Sequence, residues 1–423
     1  MRHIQSTYWG QKLSSEDQKL VAQLRSRFSP REIPVRYNSD FNFYRWIINA
    51  DRMLKSRGNI DVAEKNLRNH LRYRKALRLD NEPVPSWEEN PIHQLRMLPK
   101  GTIRGIDCYN RLLWYSEYRT IDMGGLMHKI RSSEMLIYHF WLYEEMLRMV
   151  NEQEAKTGRL SALHFVVSME GYEMSPFSML FVSSGSMGYY THLFHYEHYP
   201  ELIYPMDIVH VAKWMSIPYR MIKSIMPHGF TERFRVHDSN FHSALSHEIQ
   251  TADLPVWLGG ANTKVTVVGA LPVDKEDYWT PGPSDPPLES LHHLTIGARR
   301  RKFIALEVKR PNSKLCWYFT TDADLHFGIF YQRQQQHGTR GGDSHHKKDI
   351  DQMEMVEPWF RLAGRLVPEE GNMICQRPGT YYLVFCNKSS WLTKKNVRIN
   401  IDVDCAIIDA AAAKSPLQRT FSL

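Results

Sequence analysis

The sequence predicts a multidomain protein made of an N-terminal helical bundle, an α/β layered domain and a C-terminal all-β sandwich. Three observations carry this reading. Apolar residues recur at helical spacing through residues 12–82, short apolar runs alternate with helical stretches through 83–265, and period-two strands fill 293–405. A chain of 423 residues is too long for one compact core, which favours several units.

The helical part opens at "SSEDQKLVAQLRSRF", where Ser14 and Asp17 resemble a capping box ahead of Leu20, Val21 and Leu24. In "IDVAEKNLRNHLRYRKAL", Val62, Leu67, Leu71 and Leu77 form an inward apolar stripe and arginines cover the outside. The prolines of "NEPVPSWEENP" then mark a boundary. Beyond it, "RLLWYSEY" and "LHFVVSM" read as strands, the second apolar enough to be covered on both faces. Between them "SSEMLIYHFWLYEEMLRMV" reads as a long helix, and "MDIVHV" and "RFRVHD" as further strands flanking "KWMSIPYRMIKSIMP". Residues 266–292, with "TPGPSDPPLES", read as a linker without a core-forming pattern. The sandwich strands are "KFIALEVKR", "KLCWYFTTD", "HFGIFYQR", "GTYYLVFCN" and "KNVRINIDVD", with turns at Pro311-Asn312 and Pro378-Gly379. "QRQQQHGTRGGDSHHKKDIDQ" reads as a polar flexible loop, and residues 406–423 as a tail.

A hydrophobic share of 42% with 24% charged residues argues against a disordered chain. No apolar run is long enough to suggest a membrane helix and the N-terminus lacks a signal-peptide pattern, so a cytoplasmic protein with peripheral membrane contact is expected. Five cysteines without zinc-like spacing, Cys108, Cys316, Cys375, Cys386 and Cys405, read as reduced thiols. Residues 1–80 hold 17 Lys/Arg against 8 Asp/Glu, whereas 81–265 are net acidic. That basic segment suits an anionic membrane or nucleic acid, or is a solvated helical face.

Candidate chemistries are few. In "YYTHLFHYEHYPELIYP", His192, His195 and His198 step at three residues, with Glu197 and Glu201 nearby, but aromatic neighbours favour packing and no HExxH occurs. "SSGSMG" approaches a nucleophile elbow around Ser186, yet Ser184 replaces its first glycine and the preceding "FSMLFV" reads as helix. No phosphate-cradling glycine motif follows a strand, and no nucleic-acid reading motif appears. The aromatic and Met-rich middle suits a pocket for a flexible hydrophobic ligand, or a large core.

The motif order resembles the CRAL-TRIO lipid-binding family with a C-terminal GOLD domain, the arrangement of supernatant protein factor and the tocopherol-associated proteins. "FYRWIINADRM" with "IDVAEKNLRNHLRYRK" is similar to its helical N-terminal signature, and "HFVVSMEG" to its apolar strand followed by Glu170 and Gly171. "HYPELIYPMDIVHVAKWMSIPYRMIKSIMP" resembles the Tyr-Pro-Glu turn, the next strand and the gate helix; "LPVWLGG" resembles the domain's close. The last third resembles the jelly-roll-like GOLD sandwich. Cys386 departs from the aspartate usual before Asn387, Ser168 from a frequent aspartate, and "RMLKSRGN" is an insertion.

The resemblance implies a non-catalytic carrier without cofactor or metal, whose partners are a hydrophobic lipid, a transient membrane surface and possible proteins at the GOLD domain, but no nucleic acid. It implies a sheet floor beneath a mobile lid. Floor candidates are Tyr115, Val167, Met169, Val209 and Val211; covering candidates are Phe181, Tyr189, Trp214, Tyr219, Ile222 and Ile225. Arg220 and Lys223 on the lid would meet the membrane, and Glu201 with Arg233, at the family's lysine position, would meet a lipid head group. Lys394 and Lys395 mark a hairpin that touches membrane or is an ordinary solvated turn. A closed pocket answers a real cost, since exposing an acyl chain of roughly 16 carbons at about 0.8 kcal/mol per methylene exceeds 10 kcal/mol.

Overall fold

The computed structural model describes residues 7–81, 86–172, 197–212, 230–237, 239–333 and 349–403. Three helices open the chain: α1 (Ser15–Arg25), α2 (Asp40–Leu54) and α3 (Ile60–Ala76). The Ser14 hydroxyl caps α1 by accepting from the Asp17 amide at 3.1 Å. The reciprocal half of the expected box is absent, because Thr7 Oγ1 accepts from the Ser14 amide instead. Helix α2 is buried along residues 42–51, wedged among its neighbours. It ends at Lys55 in the left-handed region, φ +53°.

Short α4 (Pro91–Gln94) precedes a five-stranded sheet of β1 (Thr102–Ile106), β2 (Leu112–Glu117), β3 (Leu163–Ser168), β4 (Ile203–Val209) and β5 (Phe234–Val236), in that spatial order. The β1–β2 pair is antiparallel and the other three pairs are parallel. Helices α5 (Met123–Lys129) and α6 (Ser132–Thr157) join β2 to β3, and α7 (Phe230–Arg233) and α8 (Phe241–Ser246) flank β5. Every residue of central β3 is buried, as its continuous apolar run predicts.

The last third forms two four-stranded antiparallel sheets. One has the order β10 (Glu354–Leu362), β9 (Leu325–Gln332), β12 (Gly379–Cys386), β7 (Arg301–Val308). The other runs β11 (Glu369–Cys375), β8 (Ser313–Thr321), β13 (Lys395–Val403), β6 (His292–Ile296). Phe319 sits 4.8 Å from Phe327 and 5.2 Å from Phe385, ring to ring.

Three expectations are revised. Cys316 is disulfide-bonded, so the cysteines are not uniformly reduced thiols, although Cys108, Cys375 and Cys386 are free. The stretch 266–292 is not a bare linker. Val273 is buried beside Ile92, Met97 and Leu126, and backbone bonds from Lys100 to Val268 and from Trp279 to His128 strap it to the α/β layer. The basic N-terminus is consumed internally in part: Arg45 pairs with Glu154, Arg57 with Asp17, Arg72 with Asp351, and Arg74 with Asp80 and Glu144, while Lys12, Lys19, Arg31, Lys55 and Lys65 are exposed. Some of its charge therefore binds the chain to itself, and the rest lies on a solvated face. Much of the polar loop and all of the tail lie outside the described residues. Among the described residues no helix is long and apolar enough to cross a membrane.

The sandwich docks through β10 onto α3. Tyr73 Oη donates to the Trp359 carbonyl at 2.5 Å, and Arg72 Nη2 donates to the carbonyls of Ile350 and Met353. Tyr73→Phe is expected to lower stability by about 1–2 kcal/mol, as the half-buried carbonyl loses its donor. Urea denaturation checks this; an unchanged midpoint would show that the contact is energetically idle.

Candidate functional site

Alternation along the strands gives the five-stranded sheet two distinct faces. One carries Trp114, Phe165, Val167, Met169, Met206 and Ile208, and belongs to the main core with Leu136, Phe140, Tyr143 and Leu147 of α6. Trp114 stacks on Phe165 at 5.4 Å. The opposite face carries Leu113, Tyr115, Val166 and Val209, packed against Leu245, Ile249, Leu254, Leu258 and Val265.

This divides the expected floor. Val167 and Met169 share the first face, and half-buried Val211 packs against the same cluster. Tyr115 and Val209 point the other way; Tyr115 is fully buried, its hydroxyl donating to the Asp253 carbonyl at 2.9 Å. The sequence shows apolar runs on both strands, but which residue faces which side depends on strand phase. A register shift between the Leu163 and Phe165 pairings changes that phase in β4. Phe181, Tyr189, Trp214, Tyr219, Arg220, Ile222, Lys223 and Ile225 lie outside the described residues, as do Ser186, His192 and His195.

The two head-group candidates meet. Glu201, at φ +58° in the Tyr-Pro-Glu turn, ion-pairs with Arg233 at the end of α7, and both side chains are buried. Arg52 of α2 adds a third charge, 3.8 Å from Glu201 and 3.5 Å from Glu232, with its guanidinium 5.1 Å from the Tyr204 ring centre. Sequence reading missed Arg52, which begins the inserted "RMLKSRGN"; only the fold brings it to the turn. The turn is anchored by Tyr199, whose hydroxyl donates to Glu144 of α6 at 2.7 Å, while Arg74 of α3 holds the same carboxylate.

Among the described residues, His198 belongs to no group with metal-like spacing. It is buried, 4.3 Å from the Tyr73 ring and 5.1 Å from the Phe140 ring, and burial pushes its pKa down to about 3. The one described group with metal-like spacing is Asp107, His164 and Glu248, behind the sheet. Its atoms are already engaged. His164 Nδ1 lies 2.8 Å from Asp107, its Nε2 lies 2.6 Å from Asp207, and Arg111 bonds both Asp107 and Glu248 at 2.6 Å. His237 joins at 2.7 Å from Asp207, and Arg235 at 3.0 Å from Glu248. These residues are scattered in sequence, and no local motif announces the network. It cross-ties β3, β4, β5 and the β1–β2 connection through charge. Ser168, at the strand's end, shares a 2.9 Å hydrogen bond with His210 Nδ1.

Comparison with known proteins gives family matches that follow the three parts of the fold. Residues 97–260 match the family described as CRAL/TRIO domain, residues 13–82 match a domain of unknown function, DUF8435, and residues 277–405 match one described as "F28H7_8_C:-like, C-terminal domain". CRAL-TRIO domain-containing protein F28H7.8 of Caenorhabditis elegans is 23% identical over 90% of this chain and 88% of its own. Protein ctg-1 of the same organism is 24% identical over 82% of this chain and 88% of its own. The crystal structure of Sfh5 is similar at 14% identity and a TM-score of 0.40, covering 64% of this chain and 93% of that one. The stretch that matches the CRAL/TRIO domain, residues 97–260, coincides with the α/β core, with helices before it and paired antiparallel sheets after it.

Proposed function

We propose that this protein binds one hydrophobic lipid in its CRAL/TRIO domain and carries it between membranes without chemical catalysis. The match over residues 97–260 supports lipid binding, the property that domain class implies. The observation that carries the reading is the sheet face of Phe165, Val167, Met169, Met206 and Ile208, an apolar row on β3 and β4 that faces α6. Val167, Met169 and Val211 are the described residues assigned to the ligand, and the segment with Tyr219, Ile222 and Ile225 is assigned the gate, with Arg220 and Lys223 meeting head groups. Tyr115 and Val209 leave the lining set. Phosphatidylinositol, a tocopherol and a squalene-like molecule are the candidate ligands. Glu201, Arg233 and Arg52 favour a polar phosphorylated head group, because two buried charges and the half-buried Arg52 converge where apolar side chains would suit a neutral ligand. The C-terminal sheets are assigned to a GOLD domain of the supernatant protein factor and tocopherol-associated type; their antiparallel pairing supports this.

Vesicle-to-vesicle transfer of fluorescent lipid, with native mass spectrometry of the purified protein, tests the proposal. Multiple turnovers and a co-purifying lipid are expected, and Met169→Trp should slow transfer about tenfold by filling ligand space. A single slow exchange would instead indicate a lipid-sensing adaptor, and a protein without lipid would remove the reading.

A further inference from the structure

The turn between β12 and β13 carries a feature that lipid carriage leaves unused. Trp391 is 74% and Leu392 94% exposed, the two most exposed large apolar side chains among the described residues of the sandwich. They occupy the central positions of a closed turn. The Thr393 amide donates to Ser390 Oγ at 3.0 Å, and Ser390 Oγ in turn donates to the Thr393 carbonyl at 2.9 Å. Asn387 braces the base, its amide nitrogen donating to the Thr393 carbonyl at 2.8 Å and to the Ile296 carbonyl of the neighbouring loop at 3.2 Å. The apolar pair is thus presented on a preformed tip.

The chain segments flanking that tip carry charge of one sign. The adjoining stretches 297–302 ("GARRRK") and 387–395 ("NKSSWLTKK") hold seven Lys and Arg and no Asp or Glu. Arg299, Arg300, Arg301, Lys302, Lys388 and Lys394 are exposed, and the Arg299 guanidinium lies 4.0 Å from the Trp391 ring centre. Lys395, which the sequence grouped with Lys394, is buried: its ammonium donates to the Asp324 carbonyl and, at 3.1 Å, to Ser389 Oγ. It stiffens the turn and contacts no partner. Nearby His326 registers the local potential. Burial first, then the cations Lys388, Arg361, Lys395 and Arg301, hold its pKa down to about 2.

We propose that this turn docks the protein on anionic lipid bilayers, with Trp391 and Leu392 entering the interface and the basic collar meeting the head groups. An indole edge suits the boundary between head groups and acyl chains, a leucine suits the layer below, and a cationic rim is attracted to an anionic surface. A protein groove would accept the apolar pair but gives no reason for six exposed cations on the flanking chain.

Sedimentation of the full chain with vesicles of phosphatidylcholine, alone or equimolar with phosphatidylserine, tests this. The parent should bind the anionic vesicles and release them as salt is raised. Trp391→Ala/Leu392→Ala and Lys388→Glu/Lys394→Glu should each weaken binding about tenfold or more while thermal midpoints hold, since all four side chains are exposed. In a Cys108→Ser background, an environment-sensitive fluorophore on Leu392→Cys should shift to the blue on those vesicles. Variants that bind like the parent, or a fluorophore that stays in water, would overturn the proposal. So would a parent that ignores vesicles, leaving the tip to a protein partner. Native mass spectrometry reads lipid loading separately: a loaded protein whose vesicle binding ignores the tip defeats docking alone, and a docking protein without lipid defeats the carrier reading alone.

Discussion

His164→Leu is expected to lower the unfolding free energy by about 3–5 kcal/mol at pH 6, read by urea denaturation. The imidazole is fully buried and bridges Asp107 at 2.8 Å to Asp207 at 2.6 Å. Leucine replaces its volume but leaves two buried carboxylates facing each other with fewer donors. Burial alone would lower the histidine's pKa, but hydrogen bonds to Asp107 and Asp207 outweigh it, and the net shift is upward from 6.5. For the aspartates burial acts upward, and the bonds from His164 reverse it, so both titrate below 3.8. The signs set the pH window. The histidine's share is complete below 6.5 and is lost as pH rises through its folded value. The aspartates' share is complete above 3.8 and is lost as pH falls through theirs. The parent should therefore keep the full network between roughly pH 4 and 6.5 and weaken on either side, whereas His164→Leu should show a flatter alkaline limb. A variant matching the parent in stability and in that limb would mean that the bridge is neutral and dispensable.

What could be read from the sequence follows from where each element sits. Helix α6 and strands β3, β9 and β12 announce themselves because they are buried on most sides and their apolar residues leave an unmistakable period. The strands that escaped notice, β1, β6, β10 and β11, all lie at sheet edges. An edge has little pressure to be apolar and often carries charge or proline to resist further pairing. Accordingly, β10 holds Pro358 and register shifts, β11 begins with two glutamates, and β6 with two histidines. The site was legible to the extent that motifs are local. Glu201 lies in a recognisable turn and Arg233 at a recognisable spacing, and the fold joins them. Arg52 arrives from another helix, and the Asp107–His164–Asp207–His237 chain spans four strands' surroundings, so neither leaves a local signature. Tyr115 and Val209 illustrate a different loss. Their burial was predictable, but which face they occupy was not.

Glu369 ties the sandwich to the α/β domain, and Glu369→Ala is expected to cost about 2–4 kcal/mol while loosening that joint. Its carboxylate, at the start of β11, reaches the first turn of α6. One oxygen accepts from the Ser132 amide at 2.9 Å and the Ser133 amide at 3.4 Å, and the other accepts from Ser133 Oγ at 2.5 Å. Helix N-termini leave such amides without partners, so a carboxylate from another domain acts here as a cap. Arg131 reinforces it, donating to the Pro368 carbonyl and pairing with Glu134 and Glu370. Because α6 also lines the apolar face of the sheet, the cap couples the sandwich to the α/β core. Burial raises the pKa of Glu369 to about 7 despite the Ser133 bonds that oppose it. A carboxyl raised in the folded state contributes stability that is complete below its unfolded value of 4.5 and is lost as pH climbs through about 7. The joint should therefore tighten between neutral pH and about pH 5 in the parent, and Glu369→Gln should abolish that gain. Calorimetry resolves the effect: one cooperative transition is expected for the parent, and a separate early transition of the sandwich for Glu369→Ala. If Glu369→Ala melts in the same single transition at the same temperature, α6 is held by its own contacts and the sandwich only leans against it.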